Sequence, residues 1–184
     1  GDWVRVNDIP EDSVFVGYDA LETECQLVKY RSVKTKNKEV FQLVLNTTPF
    51  YAESGGQVGD KGVLVQGEKK INIYDTKKEN DLIVHLSYKL TEELSGYFDA
   101  KVNTQRRRLT QNNHTSTHLL QSALRSVLGD HVQQRGSLVN ENVLRFDFSH
   151  FLKLNDDEIS TVEKMVNEKI RENISLNEKR NVPI

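Results

Sequence analysis

From Trp3 to about Val102, apolar residues fall in short β-branched and aromatic runs separated by turn residues, the pattern of strands joined by short connections. The runs are Val14-Phe15-Val16, Gln26 to Tyr30, Val40 to Leu45, Gly62 to Val65, Ile71 to Tyr74, Leu82 to Tyr88 and Tyr97 to Val102. With no helical periodicity between them, they predict a small β-barrel or sandwich. Near residue 104 the period changes. Leu109, Ser116, Leu120, Ala123, Leu124, Val127 and Leu128 recur at helical spacing and Gly129 supplies a stop, so a helix is predicted over about 105–128. Gln133 to Val139 and Val143 to Phe148 flank the polar turn Asn140-Glu141-Asn142 and read as a hairpin. Asn155, with Glu158 three residues on, is a capping box opening a second helix with the apolar stripe Ile159, Val162, Val166 and Ile170. The expected fold class is α+β: a barrel domain over 1–103 and an α+β domain over 104–184, divided where the period changes.

Composition narrows the classes further. A chain of 184 residues, 36% hydrophobic and 28% charged, buries a substantial core without staples. Its 25 basic and 27 acidic residues exclude a uniformly basic nucleic-acid binder but leave room for a basic face. No apolar run reaches the ~18 residues of a membrane span. Cys25 is alone, which excludes an internal disulfide and makes a cytoplasmic location the default. The opening Gly1-Asp2-Trp3 without methionine and the close at Val182-Pro183-Ile184 suggest an internal piece of a longer protein.

Three features carry candidate chemistry. In His114-Thr115-Ser116-Thr117-His118 two imidazoles stand one helical turn apart on one face, the spacing that lets both reach one zinc ion. A helix that merely exposes two polar rings has the same spelling. A metallopeptidase is excluded because Thr115 replaces the general-base glutamate. The other candidate ligands, His85, His131, His150 and Cys25, have no helpful spacing. The second feature, Pro49 to Gly62, holds four of ten glycines within eight residues and lacks the Gly-Lys-Ser/Thr of a P-loop. It reads either as a tight turn or as a backbone that approaches a ligand closely. Basic clusters are the third: Lys29, Arg31, Lys34, Lys36 and Lys38 in one hairpin, most simply a solvated face, and Arg106-Arg107-Arg108 two turns before His114.

Two of these segments together resemble alanyl-tRNA synthetases. TPFYAESGGQVGDKG (Thr48 to Gly62) is similar to the glycine-rich signature of that family, and His114 to His150, with GSLVNENVLRFDFSH, resembles its editing domain. AlaX deacylases and threonyl-tRNA synthetase editing domains share the His-x-x-x-His logic, but the full glycine-rich string favours the synthetase. The resemblance implies a β-barrel followed by an α+β editing domain that hydrolyses mischarged seryl- or glycyl-tRNA(Ala). Such a site is needed because an apolar pocket discriminates near-isosteres by only about 10 to 200-fold.

It further implies that His114 and His118 are the first pair of zinc ligands. The second, a Cys-x-x-x-His pair, has no counterpart up to Ile184, so the site is incomplete in this chain. Gln134 matches an editing-pocket position, and Thr117 would place a hydroxyl beside the metal. Arg106, Arg107 and Arg108 with Gly55, Gly56 and Gln57 would steady the acceptor end of tRNA(Ala). ATP and magnesium would serve only the charging reaction, for which no adenylate-binding domain is present. The alternatives from other classes are a non-catalytic tRNA-positioning module and a freestanding AlaX-type deacylase.

Overall fold

The computed structural model describes residues 2–34, 38–175 and 177. Among them the chain forms β1 (Val4–Arg5), β2 (Val14–Phe15), β3 (Glu22–Lys34), β4 (Glu39–Leu45), β5 (Thr47–Thr48), β6 (Gly62–Gln66), β7 (Lys69–Ile73), β8 (Asp75–Glu79), β9 (Leu82–Ser87) and β10 (Tyr97–Val102). There follow α1 (Thr104–Leu128), the hairpin β11 (Gln134–Val139) and β12 (Leu144–Phe148), and α2 (Asp156–Arg171). The class is α+β, with sheet predominating.

The main sheet runs in the order β7-β6-β10-β3-β4-β9-β8, with β1 added against β3. Two long segments turn its corners. Residues Glu22 to Gln26 of β3 pair with β10, and from Leu27 onward the strand pairs with β4, with a register shift between Leu27 and Lys29. In the second segment β7 pairs with β6 and β8 with β9, and Tyr74 between them donates its N–H to the Leu86 carbonyl at 3.0 Å. Strands that switch partners at such corners fold a sheet over its own apolar face. Leu27, Leu43, Leu45, Phe50, Leu64 and Phe98 are buried there.

The expected closed barrel does not form. β7 and β8 stand at opposite ends of the pairing order and follow each other end to end through Tyr74 instead of lying side by side, so the ladder stays open.

A second core lies between α1, the β11–β12 hairpin and α2, where Ala123, Leu124, Val132 and Val162 are buried against Leu120, Phe146 and Met165. The capping box is made in both directions: Asn155 Oδ1 accepts from Glu158 N at 2.9 Å and Glu158 Oε2 accepts from Asn155 N at 2.9 Å. Of the expected α2 stripe, Val162 and Val166 face this core, whereas Ile159 and Ile170 are exposed. Leu109 of α1 is also exposed, because Arg107 and Thr110 occupy the buried face of the first turns.

Candidate functional site

Asn103 caps α1 by accepting from the Arg106 N–H at 3.0 Å. From that start the helical period places Arg107, Thr110, His114 and Thr117 along one side. That side faces the glycine-rich segment. Ser54 and Gln57 exchange backbone hydrogen bonds of 3.1 and 3.0 Å around Gly55 and Gly56, whose φ values are +59° and +82°. Consecutive positive φ angles are what a two-residue hairpin turn requires, and glycine adopts them without steric cost.

The turn docks on β11. Val139 N–H donates to the Gly56 carbonyl at 2.8 Å, and Val58 N–H to the Val139 carbonyl at 3.0 Å. A Cβ at Gly56 would overlap Ser137 Oγ and come 2.8 Å from the Ser137 carbonyl oxygen, so close approach as well as φ requires glycine here. Next to it, the buried Gln57 turns its amide oxygen to His114 Nδ1 at 2.6 Å. An amide oxygen only accepts, so the Nδ1 of His114 carries the proton and its Nε2 keeps a lone pair. Burial, followed by the nearby His118, pushes the His114 pKa below the usual histidine value. His118 stacks on His114 with ring centroids 5.0 Å apart and planes at 15°.

Gln134 is exposed and donates through Nε2 to Ser137 Oγ at 3.1 Å, at the same corner as Gly56. Thr117 is buried and its hydroxyl donates to the Asn113 carbonyl at 2.9 Å. The structure thus joins His114, His118, Gln57, Gly56 and, through Ser137, Gln134 at one place. Among the described residues no group of three or more His, Cys, Asp or Glu side chains gathers to hold a metal ion.

The arginine run divides by position. Arg106 donates to Glu141 Oε1 at 2.9 Å and to the Gly59 carbonyl at 2.8 Å. Arg107 is buried, doubly bonded to the Asp60 carboxylate, with further donations to the carbonyls of Gly17 at 2.7 Å and Pro49 at 2.9 Å. Of the three, only Arg108 is exposed. In the other basic cluster, Lys29 pairs with Glu11 at 2.5 Å and Arg31 with Glu79 at 2.7 Å, and both lie over the Trp3 ring. Lys36 lies outside the described residues.

The remaining candidate ligands have other duties. His85 is fully buried: its Nδ1–H donates to the Leu43 carbonyl at 3.1 Å and its Nε2 accepts from the Thr48 hydroxyl at 2.7 Å, whose oxygen in turn accepts from Phe50 N–H at 3.1 Å. Burial pushes its pKa down to about 4, so it is a neutral core histidine. The Cys25 thiol is buried in the apolar core of the sheet among Leu27, Phe50 and Phe98, and burial pushes its pKa up to about 12. His131 and His150 hydrogen-bond each other at 2.8 Å.

Sequence reasoning gave no role to Asp60, Ser137 or Glu141. Asp60 carries a signal in retrospect: it is an acid inside the glycine-rich string that can answer a buried base. Ser137 and Glu141 carry none.

The match to tRNA synthetases class II (A) covers residues 1–133, from the first strand through both histidines of the pair. The chain belongs to that family. This class II synthetase chain is 61% identical to an alanine-tRNA ligase of Cytophaga hutchinsonii over 184 residues. It is 52% identical to the one from Parabacteroides distasonis and 53% to the one from Bacteroides thetaiotaomicron, again over 184 residues. All three alignments cover 100% of the chain and 21% of the relative, so the synthetase chain spans about a fifth of the length of these relatives. No helix among its described residues is long and apolar enough to cross a membrane.

Proposed function

We propose that this chain serves the editing reaction of a cytoplasmic alanine-tRNA ligase, the hydrolysis of seryl- or glycyl-tRNA(Ala), and that His114 and His118 supply half of a zinc site there. One observation carries the reading: the glycine-rich string and the His-x-x-x-His helix, which resemble the family separately and lie 57 residues apart, meet in the Gln57–His114 hydrogen bond. A partner that fixes a ring's tautomer and orientation is the usual support of a metal-binding histidine. Two neutral imidazoles on one helix face suit two of zinc's four positions, and the longer relatives leave room for the rest outside these residues. Bound there, zinc would act as a Lewis acid and orient water at the aminoacyl ester carbonyl.

The chain's own residues do the positioning. Gln57 holds His114 in the tautomer that leaves Nε2 unprotonated, and the lowered pKa keeps the ring neutral near pH 7. Gln134 offers an amide near the turn for the serine hydroxyl or the substrate amine, and Thr117 stands one residue before His118. Gly55, with open space about its Cα, admits close approach of the tRNA(Ala) acceptor end, while Gly56 seats the turn on Ser137, and Arg108 meets a phosphate. Arg106 and Arg107 contribute by holding the turn against α1. ATP and magnesium belong to the charging reaction elsewhere in the enzyme. Residues 1–103 and 104–184 act as two domains joined by these contacts.

The rival reading is a non-catalytic tRNA-positioning module, favoured by the absence of a third ligand among the described residues. Zinc content and deacylation separate the two. The chain alone should be folded, hold zinc weakly and hydrolyse seryl-tRNA(Ala) slowly, while an extension supplying the Cys-x-x-x-His pair should gain one tightly held zinc and fast hydrolysis. An extended chain that takes up zinc and stays inert would support the positioning module.

A further inference from the structure

Beyond the end of α1 lies a second cluster. His131 and His150 meet edge to edge through a 2.8 Å hydrogen bond between ring nitrogens, with centroids 5.1 Å apart and planes within 21°, and Phe151 stacks on His131 at 4.8 Å and 25°. The Phe151 side chain is 83% exposed. A phenylalanine in that state packs no core, so core packing does not explain the row of rings. The rings border a cavity of about 290 Å³ lined also by Gln133, Arg135 and Ser149. Its walls contain no carboxylate, and no carboxylate among the described residues pairs with the exposed Arg135. A divalent cation is disfavoured beside that guanidinium; a planar ring carrying an anion is favoured.

We propose that His131, His150 and Phe151 form a stacking platform for one unpaired nucleotide of an RNA, with Arg135 on its phosphate. Flat π-faces and a nearby cation are the means by which proteins hold single-stranded nucleic acid without base-specific contacts. The cavity is sized for a single base. Strand geometry ties the platform to the other site: Gln133 and Arg135 line the cavity, while the intervening Gln134 bonds to Ser137 beside the glycine-rich turn. The proposal rests on the tRNA reading above and adds a place for an unpaired nucleotide near the acceptor end.

Fluorescence anisotropy of the full chain with two labelled RNA hairpins, one blunt and one with a four-nucleotide unpaired 3′ end, provides the test. The wild-type chain should prefer the unpaired end, and Phe151→Ala should weaken that binding about fivefold or more. Phe151→Tyr should retain it. Arg135→Gln should lower the slope of log affinity against log salt by about 0.7. Because Phe151 is exposed, the melting temperature should not move, which separates lost stacking from lost fold. Equal binding of the unpaired end by wild type and Phe151→Ala would overturn the platform while leaving the tRNA reading standing. Loss in Arg135→Gln alone would reduce the site to an anion patch and also overturn it. Binding of neither hairpin by the wild type would overturn it, and deacylation by the longer enzyme would then decide the tRNA reading independently.

Discussion

Replacing Arg107 by alanine should come close to unfolding the protein. Its guanidinium and the Asp60 carboxylate are each 4% exposed, and the arginine also satisfies the Gly17 and Pro49 carbonyls. After truncation Asp60 keeps only the Tyr51 N–H, at 2.8 Å. Breaking a buried ion pair by removing one partner costs roughly 3–5 kcal/mol, because the other charge stays buried without compensation. A domain of this size has about 5–15 kcal/mol in total. The same contacts tie the β-rich half to α1, so the damage should reach the glycine-rich turn. Urea unfolding followed by circular dichroism measures the cost for Arg107→Ala, Asp60→Asn and the double variant. The two single costs should be large, and the double cost well below their sum, since both remove one interaction. A cost under about 1 kcal/mol for Arg107→Ala, or simple additivity, would refute the reasoning.

Stability should also fall as pH drops. With an ordinary pKa of 6.5 when unfolded and about 4 when folded, His85 contributes stability that is fully present above pH 6.5 and lost as pH falls toward 4, about 3 kcal/mol in all; urea titrations at several pH values should show this loss, and His85→Asn should flatten it. Arg108→Gln should reduce the salt slope of tRNA binding by about one unit, whereas an unchanged slope would return Arg108 to the solvated surface. Gly56→Ala should destabilise the chain by more than about 1 kcal/mol, through both its φ of +82° and the overlap with Ser137, and a neutral melting temperature would contradict that account of the turn.

How much was legible depended on where the information lay. The runs that became β4, β6, β9 and β10 announced themselves by apolar patterning, and the Asn155 capping box and the stop at Gly129 are local chemistry. β8, with the sequence Asp-Thr-Lys-Lys-Glu, was missed because its only buried residue is Thr76 and pairing with β9 alone makes it a strand. The open ladder was not legible either, since a period of two says which face is buried and nothing of which edges pair.

At the site, the spacing of His114 and His118 was visible, and the family resemblance pointed to Gln57. That Gln57 reaches His114 depends on a turn docking onto a strand some 80 residues later in the chain, which no local pattern encodes. The same applies to the arginine run: Arg106, Arg107 and Arg108 read alike in sequence, and only the position of Asp60 across the helix sends Arg107 inward.

The central claim is that His114 serves hydrolysis of the wrong product and takes no part in forming the right one. Its direct test is the rate of seryl-tRNA(Ala) deacylation by the longer enzyme carrying His114→Ala, measured beside the rate of charging with alanine. The account predicts that deacylation is abolished while charging is unchanged; equal loss of both activities, or deacylation at the wild-type rate, would contradict it.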